Sequence, residues 1–186
     1  MSEDSDRRFP IDKTRYYQSV GRLLPHRIGQ IIKESGYTAK NGYKIWINPN
    51  QSNDVDFKIY FNDNLVLVGE VLNWSIKSWL SEKRKSCIIK NLTIYNCKRV
   101  LIYTVFSNEY LLKDFSSYGI SLVKLGFQLL PEYFYSFYAN KNQIEYRKVD
   151  SRETIDCIRS TIIQHLQSSR IEIVPFEISE LTVTDL

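Results

Sequence analysis

The sequence has few of the residues that staple small domains or build common cofactor sites: three cysteines, two histidines and seven glycines in 186 residues. Cys87, Cys97 and Cys157 are odd in number and widely spaced, which argues against a disulfide framework and favours a reducing cytoplasm. His26 and His165 are far apart and no CxxC pair occurs, so a structural zinc site is not predicted. The scattered glycines form no phosphate-cradling loop, and no organic cofactor is expected.

Long apolar runs are also lacking. No run approaches the roughly 18 residues needed to cross a bilayer, and residues 1–13 have no apolar core of a secretory signal. We therefore expect a cytoplasmic protein without a membrane partner. Hydrophobic residues make up 43% of the chain and charged residues 25%, with a net charge of +4. These values are ordinary for one globular domain, and the mild positive charge permits nucleic-acid binding without requiring it.

Hydrophobic periodicity divides the chain into alternating elements. Residues 1–11 are expected to be flexible, and 12–186 to form a single domain in which 150–186 add a C-terminal helix and strand. The predicted order is a helix, a three-strand meander, a helix, a strand, a short helix, a strand and further helices. This order predicts an α/β fold whose mixed central sheet carries helices on both faces. The predicted helices are 12–35 with a break at Pro25, 75–92, 109–118, 131–140 and a last helix that begins with an Asp150–Glu153 capping box. The predicted strands are 42–48, 55–61, 65–72, 98–106, 120–125 and 171–178.

The second and third predicted strands carry two acidic residues. If residues 62–64 form a three-residue loop, Phe61 faces Leu65 and the pairing continues until Asp56 lies opposite Glu70. Directly opposed residues have Cβ atoms about 4.5–5.5 Å apart on one face of the sheet. A two-residue loop would instead place the two carboxylates on opposite faces, because a one-residue slip inverts every side chain.

Two adjacent carboxylates repel each other unless a cation neutralises them. Mg²⁺ and similar hard cations take oxygen ligands and often use one or two carboxylates with water. Asp56 and Glu70 are therefore candidate ligands for Mg²⁺ or Mn²⁺. In the alternative interpretation the acidic residues are solvated strand ends, and Asp54 caps a turn.

The segment NDVDFKIYFNDNLVLVGEVLNW, residues 53–74, lies between a helix and a later helix–strand–helix–strand series. This arrangement resembles the PD-(D/E)XK nuclease superfamily, which includes restriction endonucleases and archaeal Holliday-junction resolvases. KRVLIYTVF and GISLVKLGFQLLP look like the later core strands, so the resemblance covers about residues 15–130. It implies a restriction endonuclease-like fold and a metal-dependent DNA endonuclease that hydrolyses phosphodiester bonds.

By this resemblance Asp56 matches the motif aspartate and Glu70 the motif acidic residue. Asp54 is the alternative for the aspartate, because Asn53-Asp54 mimics the Pro-Asp pair of the motif. The metal ligands implied are Asp56, Glu70 and the backbone carbonyl of Val71.

The sequence departs from the motif where a lysine is expected two residues after Glu70, because Leu72 stands there. Lys83 or Lys77 is the expected catalytic substitute, and Lys83 shares a helical line with apolar residues that should face the sheet. In the alternative interpretation Lys83 only packs its stem and exposes its amine. Asn73 should point to the other face unless a bulge intervenes.

The segment 77–90 is rich in basic residues. Lys77, Lys83, Arg84 and Lys85 are candidate contacts to the DNA backbone, or else a solvated helix face. The aromatic run 133–138 is either core or the interface of a homodimer. Leu72 also favours a second functional class, a catalytically degenerate DNA-binding or assembly module with a nuclease fold. A third alternative is an interaction protein without a nucleic-acid role.

Overall fold

The computed structural model describes residues 13–49, 54–75, 77–132, 135 and 146–173. The order of the helices and strands follows the predicted order up to residue 124. They are α1 Lys13–Glu34, β1 Tyr43–Ile47, β2 Phe57–Phe61, β3 Asn64–Leu72, α2 Glu82–Thr93, β4 Lys98–Tyr103, β5 Ile120–Lys124, β6 Gln128–Leu130, β7 Tyr146–Lys148 and α3 Arg152–Ser168, with 3-10 helices at Ala39–Asn41 and Glu109–Tyr118.

The central sheet has five strands in the order β1-β2-β3-β4-β5. The first three form an antiparallel meander, whereas β3, β4 and β5 are mutually parallel. Parallel neighbours need a crossover, and α2 and the 3-10 helix 109–118 provide the two crossovers. The predicted α/β fold with a mixed sheet is confirmed. A separate parallel pair, β6 with β7, was not predicted as a second sheet.

Helices cover both faces of the central sheet, and each face has its own apolar core. Ile28 of α1 and Ile162 of α3 pack with Ile59 of β2 on one face. Ile88 of α2 and Phe115 of the 3-10 helix pack on the other. Every residue of β3 from 67 to 72 is buried, because that strand is central and covered on both sides.

Helix α1 is continuous, and the predicted break at Pro25 is wrong. Pro25 lies inside the helix although a proline there removes a backbone hydrogen bond and costs about 3 kcal/mol. Leu24 and Ile28, both completely buried, flank it and anchor the helix to the sheet, so packing outweighs the local preference. The helix ends at Glu34, close to the predicted stop at Gly36, which has a φ of +101°.

Helix α2 begins at Glu82 and not near Ser75, as predicted. Ser81 is its N-cap, and its hydroxyl oxygen accepts the Arg84 backbone N–H at 3.2 Å. The preceding loop is held by tertiary contacts, because the buried Asn108 side chain bonds both the N–H and the carbonyl of Leu80, each at 2.8 Å. Trp79, in this loop, is 65% exposed.

The hairpin between β2 and β3 has a two-residue turn, so the predicted three-residue loop is wrong. Asn62 and Asp63 have φ values of +47° and +62°, as a type I′ turn requires, and Phe61 pairs with Asn64. β3 has a β-bulge opposite the step from Ile59 to Tyr60 of β2, and Val66 is the extra residue of β3 at this bulge. Beyond the bulge, Phe57 pairs with Gly69, the register that the sequence pattern predicted.

The bulge also changes which apolar residues share a face. Leu65 packs in the α2-side core and Val66 in the opposite core, so these neighbouring residues lie on different faces of the sheet. Val55 also lies in the α2-side core, because it precedes the regular part of β2.

Several further predictions concern the C-terminal part and residues outside the described ranges. Helix α3 begins at Arg152 with Ser151 as N-cap, so the predicted Asp150–Glu153 capping box does not form. Residues 171–173 are not in a strand, and the remainder of the predicted strand to 178 lies outside the described residues. Residues 1–11 and most of the aromatic run 133–138 also lie outside the described residues. Within the described residues, no helix combines the length and apolarity needed to span a membrane.

Candidate active site

Asp56 and Glu70 lie together on the α2 side of the sheet. The Asp56 N–H donates to the Gly69 carbonyl at 2.9 Å, which extends the β2–β3 ladder by one residue. Its carboxylate Oδ2 accepts the Val71 N–H at 2.7 Å. Glu70 is only 2% exposed, and the two carboxyl groups share a hydrogen bond. The predicted juxtaposition therefore occurs, although a turn and a bulge together produce it.

The acid pair lines a cavity of about 410 Å³ between the end of the hairpin and helix α2. One side of α2 borders this cavity through Arg84, Cys87 and Asn91, which lie three and four residues apart. The adjacent helix face, with Ile88 and Leu92, is buried in the core. The helix thus packs by its apolar face and presents a polar line to the carboxylates.

Burial is the largest influence on Glu70 and raises the pKa of its carboxyl, and the neighbouring Asp56 carboxylate raises it further. The Asn91 amide, which donates to Glu70 Oε1 at 3.0 Å, and the Arg84 charge oppose this rise, and the resulting pKa is about 8. Burial also raises the pKa of Asp56, against the hydrogen bonds from Val71 and Glu70 and the Arg84 charge. The pair therefore holds a proton near neutral pH, as expected of two carboxylates in one buried site.

The Val71 carbonyl opens toward the same cavity. In a strand, the N–H and carbonyl of one residue point to the same edge, and the Val71 N–H points to Asp56. The next carbonyl, of Leu72, points to the opposite edge, where it accepts the Thr104 N–H at 3.0 Å. Two carboxylates and one carbonyl are oxygen ligands of the kind that Mg²⁺ and Mn²⁺ prefer, and the donor set fits such a cation. Within the part of the chain described, no group of three or more His, Cys, Asp or Glu side chains is arranged to hold a metal ion.

Asp54, the alternative metal ligand, borders the same cavity but has other partners. Lys58 forms an ion pair with its Oδ2 at 2.7 Å, and the Tyr95 hydroxyl donates to its Oδ1 at 2.5 Å. Burial acts to raise the pKa of Asp54, but these bonds and the Val55 N–H outweigh it, so that its pKa is lowered. Asp54 is thus a neutralised structural carboxylate, and the Asp56–Glu70 pair is the better metal-ligand set.

Leu72, in the position of the motif lysine, is 1% exposed and packs in the α2-side core. Asn73 is also buried, and its amide bonds the Val20 carbonyl and both backbone groups of Leu129. It is therefore a clamp between α1, β3 and β6, and it does not replace the lysine.

Lys77 and Lys83, the expected substitutes, are both exposed. The prediction that Lys83 faces the sheet is wrong, because it assumed a helix that begins at Ser75 and so misjudged the faces of α2. Lys85 forms an ion pair with Asp114 at 3.0 Å. Neither Lys77, Lys83 nor Lys85 borders the cavity.

Sequence reasoning missed two contributors to this region, Lys58 and Asn91, and named Arg84 only as a DNA contact. Lys58 lies on the same face as Asp56, and its amine is 4.7 Å from the ring centroids of both Trp46 and Tyr95. Its position two residues after Asp56 could have indicated this placement. Asn91 and the cavity-facing position of Arg84 could be found only from the correct phase of α2.

No protein-family model matches this sequence, and no curated protein matches it. The chain is an α/β protein with a mixed five-stranded sheet, and a buried carboxylate pair lies in a cavity beside the start of its second strand and the end of its third.

Proposed function

We propose that the protein is a metal-dependent, endonuclease-like hydrolase of DNA phosphodiester bonds. The observation that carries this proposal is the buried Asp56–Glu70 pair, which borders the same cavity as Val71 and in which Asp56 accepts the Val71 N–H. The resemblance of residues 53–74 to the PD-(D/E)XK superfamily agrees with the mixed sheet and with the crossovers after β3.

In this proposal Asp56, Glu70 and the Val71 carbonyl hold Mg²⁺ or Mn²⁺ in place of the proton that the two carboxyl groups share. The bound ion would supply Lewis-acid polarisation of the scissile phosphate and a lower pKa for the attacking water. The Val71 N–H and the Asn91 amide hold one oxygen of each carboxylate in place. Such fixed partners orient metal ligands and support their affinity.

Contacts to the DNA backbone are assigned to basic residues in the loop before α2 and in the first turn of α2. Lys77 and Lys83 are exposed, and Arg84 borders the cavity. Lys85 is the weaker candidate, because Asp114 already neutralises its charge. These side chains give electrostatic binding to phosphates without reading bases.

A second function, that of a catalytically degenerate DNA-binding or assembly module, is favoured by one specific observation. Leu72 is buried in the lysine position, and no lysine is among the described residues that border the cavity. A protein of this kind would bind DNA through the same basic residues and would not cut it.

Cleavage of labelled duplex, junction and single-stranded DNA with Mg²⁺ or Mn²⁺ tests the proposal. The wild type is compared with Asp56→Asn and Glu70→Gln, which remove charge with little change of shape. Asp63→Asn, at the exposed tip of the same hairpin, is the matched control. We expect each site variant to lose at least about 100-fold in rate and the control to stay near the wild-type rate.

The outcomes separate the two functions. DNA binding without cleavage by the wild type would support the degenerate module and reject the hydrolase. Equal cleavage by wild type and both site variants would show that the acid pair is not the catalytic site.

A further inference from the structure

Most basic side chains around the acid pair have partners of their own. Lys58 is held by Asp54 and Lys85 by Asp114, while Lys83 is exposed and does not border the cavity. Among the described residues that do border it, the basic one is Arg84.

The fold fixes the place from which Arg84 projects. It is the third residue of α2, and its N–H is bonded by the Ser81 cap at 3.2 Å. Seven residues later, on the same helical line, Asn91 donates to Glu70 at 3.0 Å. Helix α2 is therefore tied to the acid pair at one point and carries the guanidinium over the cavity about two turns away.

A gap separates this guanidinium from the carboxylates. No ion pair within 4.0 Å joins Arg84 to a carboxylate in the described ranges. Arg84 and the two carboxylates border one cavity of about 410 Å³, which has room for an anion and a cation between them.

We infer that Arg84 contacts the scissile phosphate from the side opposite Asp56 and Glu70, and supplies the positive charge that Leu72 does not. This role rests on the proposed hydrolase function. A guanidinium forms two parallel bonds to phosphate oxygens and stays charged at all working pH values. Arg84 therefore stabilises charge that develops on the phosphate and does not serve as a general base.

The experiment compares Arg84→Ala and Arg84→Lys with Lys90→Ala, an exposed residue of the same helix with the same charge. Single-turnover cleavage is measured on the DNA that the wild type cuts, at saturating Mg²⁺. We expect Arg84→Ala to be about 10²–10³-fold slower, as for loss of one transition-state charge contact. Arg84→Lys should recover part of the rate, because it keeps the charge but cannot form the two parallel bonds of a guanidinium. Lys90→Ala should match the wild type.

Two further readouts separate this role from metal binding and folding. Calorimetry with Mn²⁺ should show that Arg84→Ala binds the ion as tightly as the wild type or more tightly, since a nearby positive charge opposes a cation. The thermal midpoint should stay within a few degrees of the wild type. If Arg84→Ala unfolds early, Arg84→Gln keeps most of the stem and is measured instead.

Failure of this role and failure of the proposed function give different results. If Asp56→Asn and Glu70→Gln abolish cleavage while Arg84→Ala cuts at the wild-type rate, the Arg84 role is wrong and the hydrolase stands. If Arg84→Ala is slow only because it no longer binds Mn²⁺, the phosphate contact is also rejected. If the wild type cuts none of the substrates, the proposed function fails and the Arg84 role fails with it.

Discussion

At the scale of single residues, the buried acid pair lowers the stability of the folded protein and in return places two candidate metal ligands side by side. Glu70 lies in the buried part of β3, where burial and the Asp56 carboxylate both disfavour its charged form. The folded state keeps the two groups together by letting them share a proton. A cation that replaces the proton would remove this cost, which ties metal affinity to folding.

The raised pKa of Glu70 predicts how stability depends on pH. Its pKa is about 8 in the folded protein against an ordinary value of 4.5, so the folded state binds the proton more tightly than the unfolded chain. The resulting stabilisation is complete below the ordinary value and is lost as the pH rises through the folded one. Metal-free wild type should therefore weaken between about pH 5 and pH 9.

Glu70→Gln cannot ionise and should flatten this dependence. At alkaline pH we expect it to be more stable than the wild type by on the order of 1–3 kcal/mol, with little difference near pH 5. Urea unfolding in chelator at several pH values measures this. Parallel curves for the two proteins would mean that Glu70 does not carry the shifted proton.

At the scale of elements, Asn73 joins three parts of the fold that are distant in sequence. Its amide donates to the Val20 carbonyl at 2.8 Å and to the Leu129 carbonyl at 2.9 Å, and its oxygen accepts the Leu129 N–H at 2.8 Å. Because Asn73 follows β3 directly and borders the cavity, the same clamp holds one wall of the site.

Asn73→Ala should therefore destabilise the protein strongly. It leaves three buried backbone groups without their partner, and we expect a loss of about 2–4 kcal/mol in the free energy of unfolding. Asn96→Ala, at an exposed position, is the matched control and should stay within about 0.5 kcal/mol of the wild type. Equal effects of the two substitutions in denaturant unfolding would contradict the clamp.

The elements also show which parts of the fold the sequence could predict. Strands β1 to β5 were recognisable because their apolar patterns are long and bounded by turn residues. The start of α2 was missed because Asn108, far along the chain, holds Leu80 in a loop. The β6–β7 pair joins three-residue strands separated by a long stretch of chain, which leaves no local pattern to detect.

The candidate site also has a part that the sequence could predict and a part that it could not. The acid pair was found because pairing across a hairpin follows from counting residues, although the count rested on the wrong turn and succeeded because the bulge offset it. The orientation of Lys83 was wrong because the phase of a helix depends on where the helix begins. For the same reason the sequence could not distinguish Arg84, which borders the cavity, from its exposed basic neighbours.

At the scale of the whole molecule, α1 and α3 pack on one face of the sheet and α2 on the other, and the acid pair faces α2, whose Asn91 donates to Glu70. Lys83 and Arg84, in the first turn of α2, therefore lie on the side of the acid pair. A DNA strand whose phosphate reached the cavity would pass these residues.

Salt dependence of DNA binding tests this arrangement. The slope of log Kd against log salt counts the phosphates that basic residues neutralise. Lys83→Ala should lower its magnitude by about one, whereas Lys85→Ala should change it less because Asp114 holds the Lys85 amine. Fluorescence anisotropy in Ca²⁺ at several salt concentrations measures both variants. A larger effect of Lys85→Ala would mean that its ion pair opens to bind DNA.

The bulge at Val66 has a consequence for how this gene can change length. The two-residue turn is one residue shorter than a plain hairpin of this length would need to keep Asp56 and Glu70 on one face, and the extra residue at the bulge makes up the difference. A codon lost at the bulge would leave a plain hairpin in which Phe57 still pairs with Gly69, and a codon gained at the tip would only lengthen the loop. A codon gained or lost between Leu67 and Glu70 would instead turn Glu70 away from Asp56, so descendants of this chain should change length at the tip or the bulge and keep the spacing from Leu67 to Glu70.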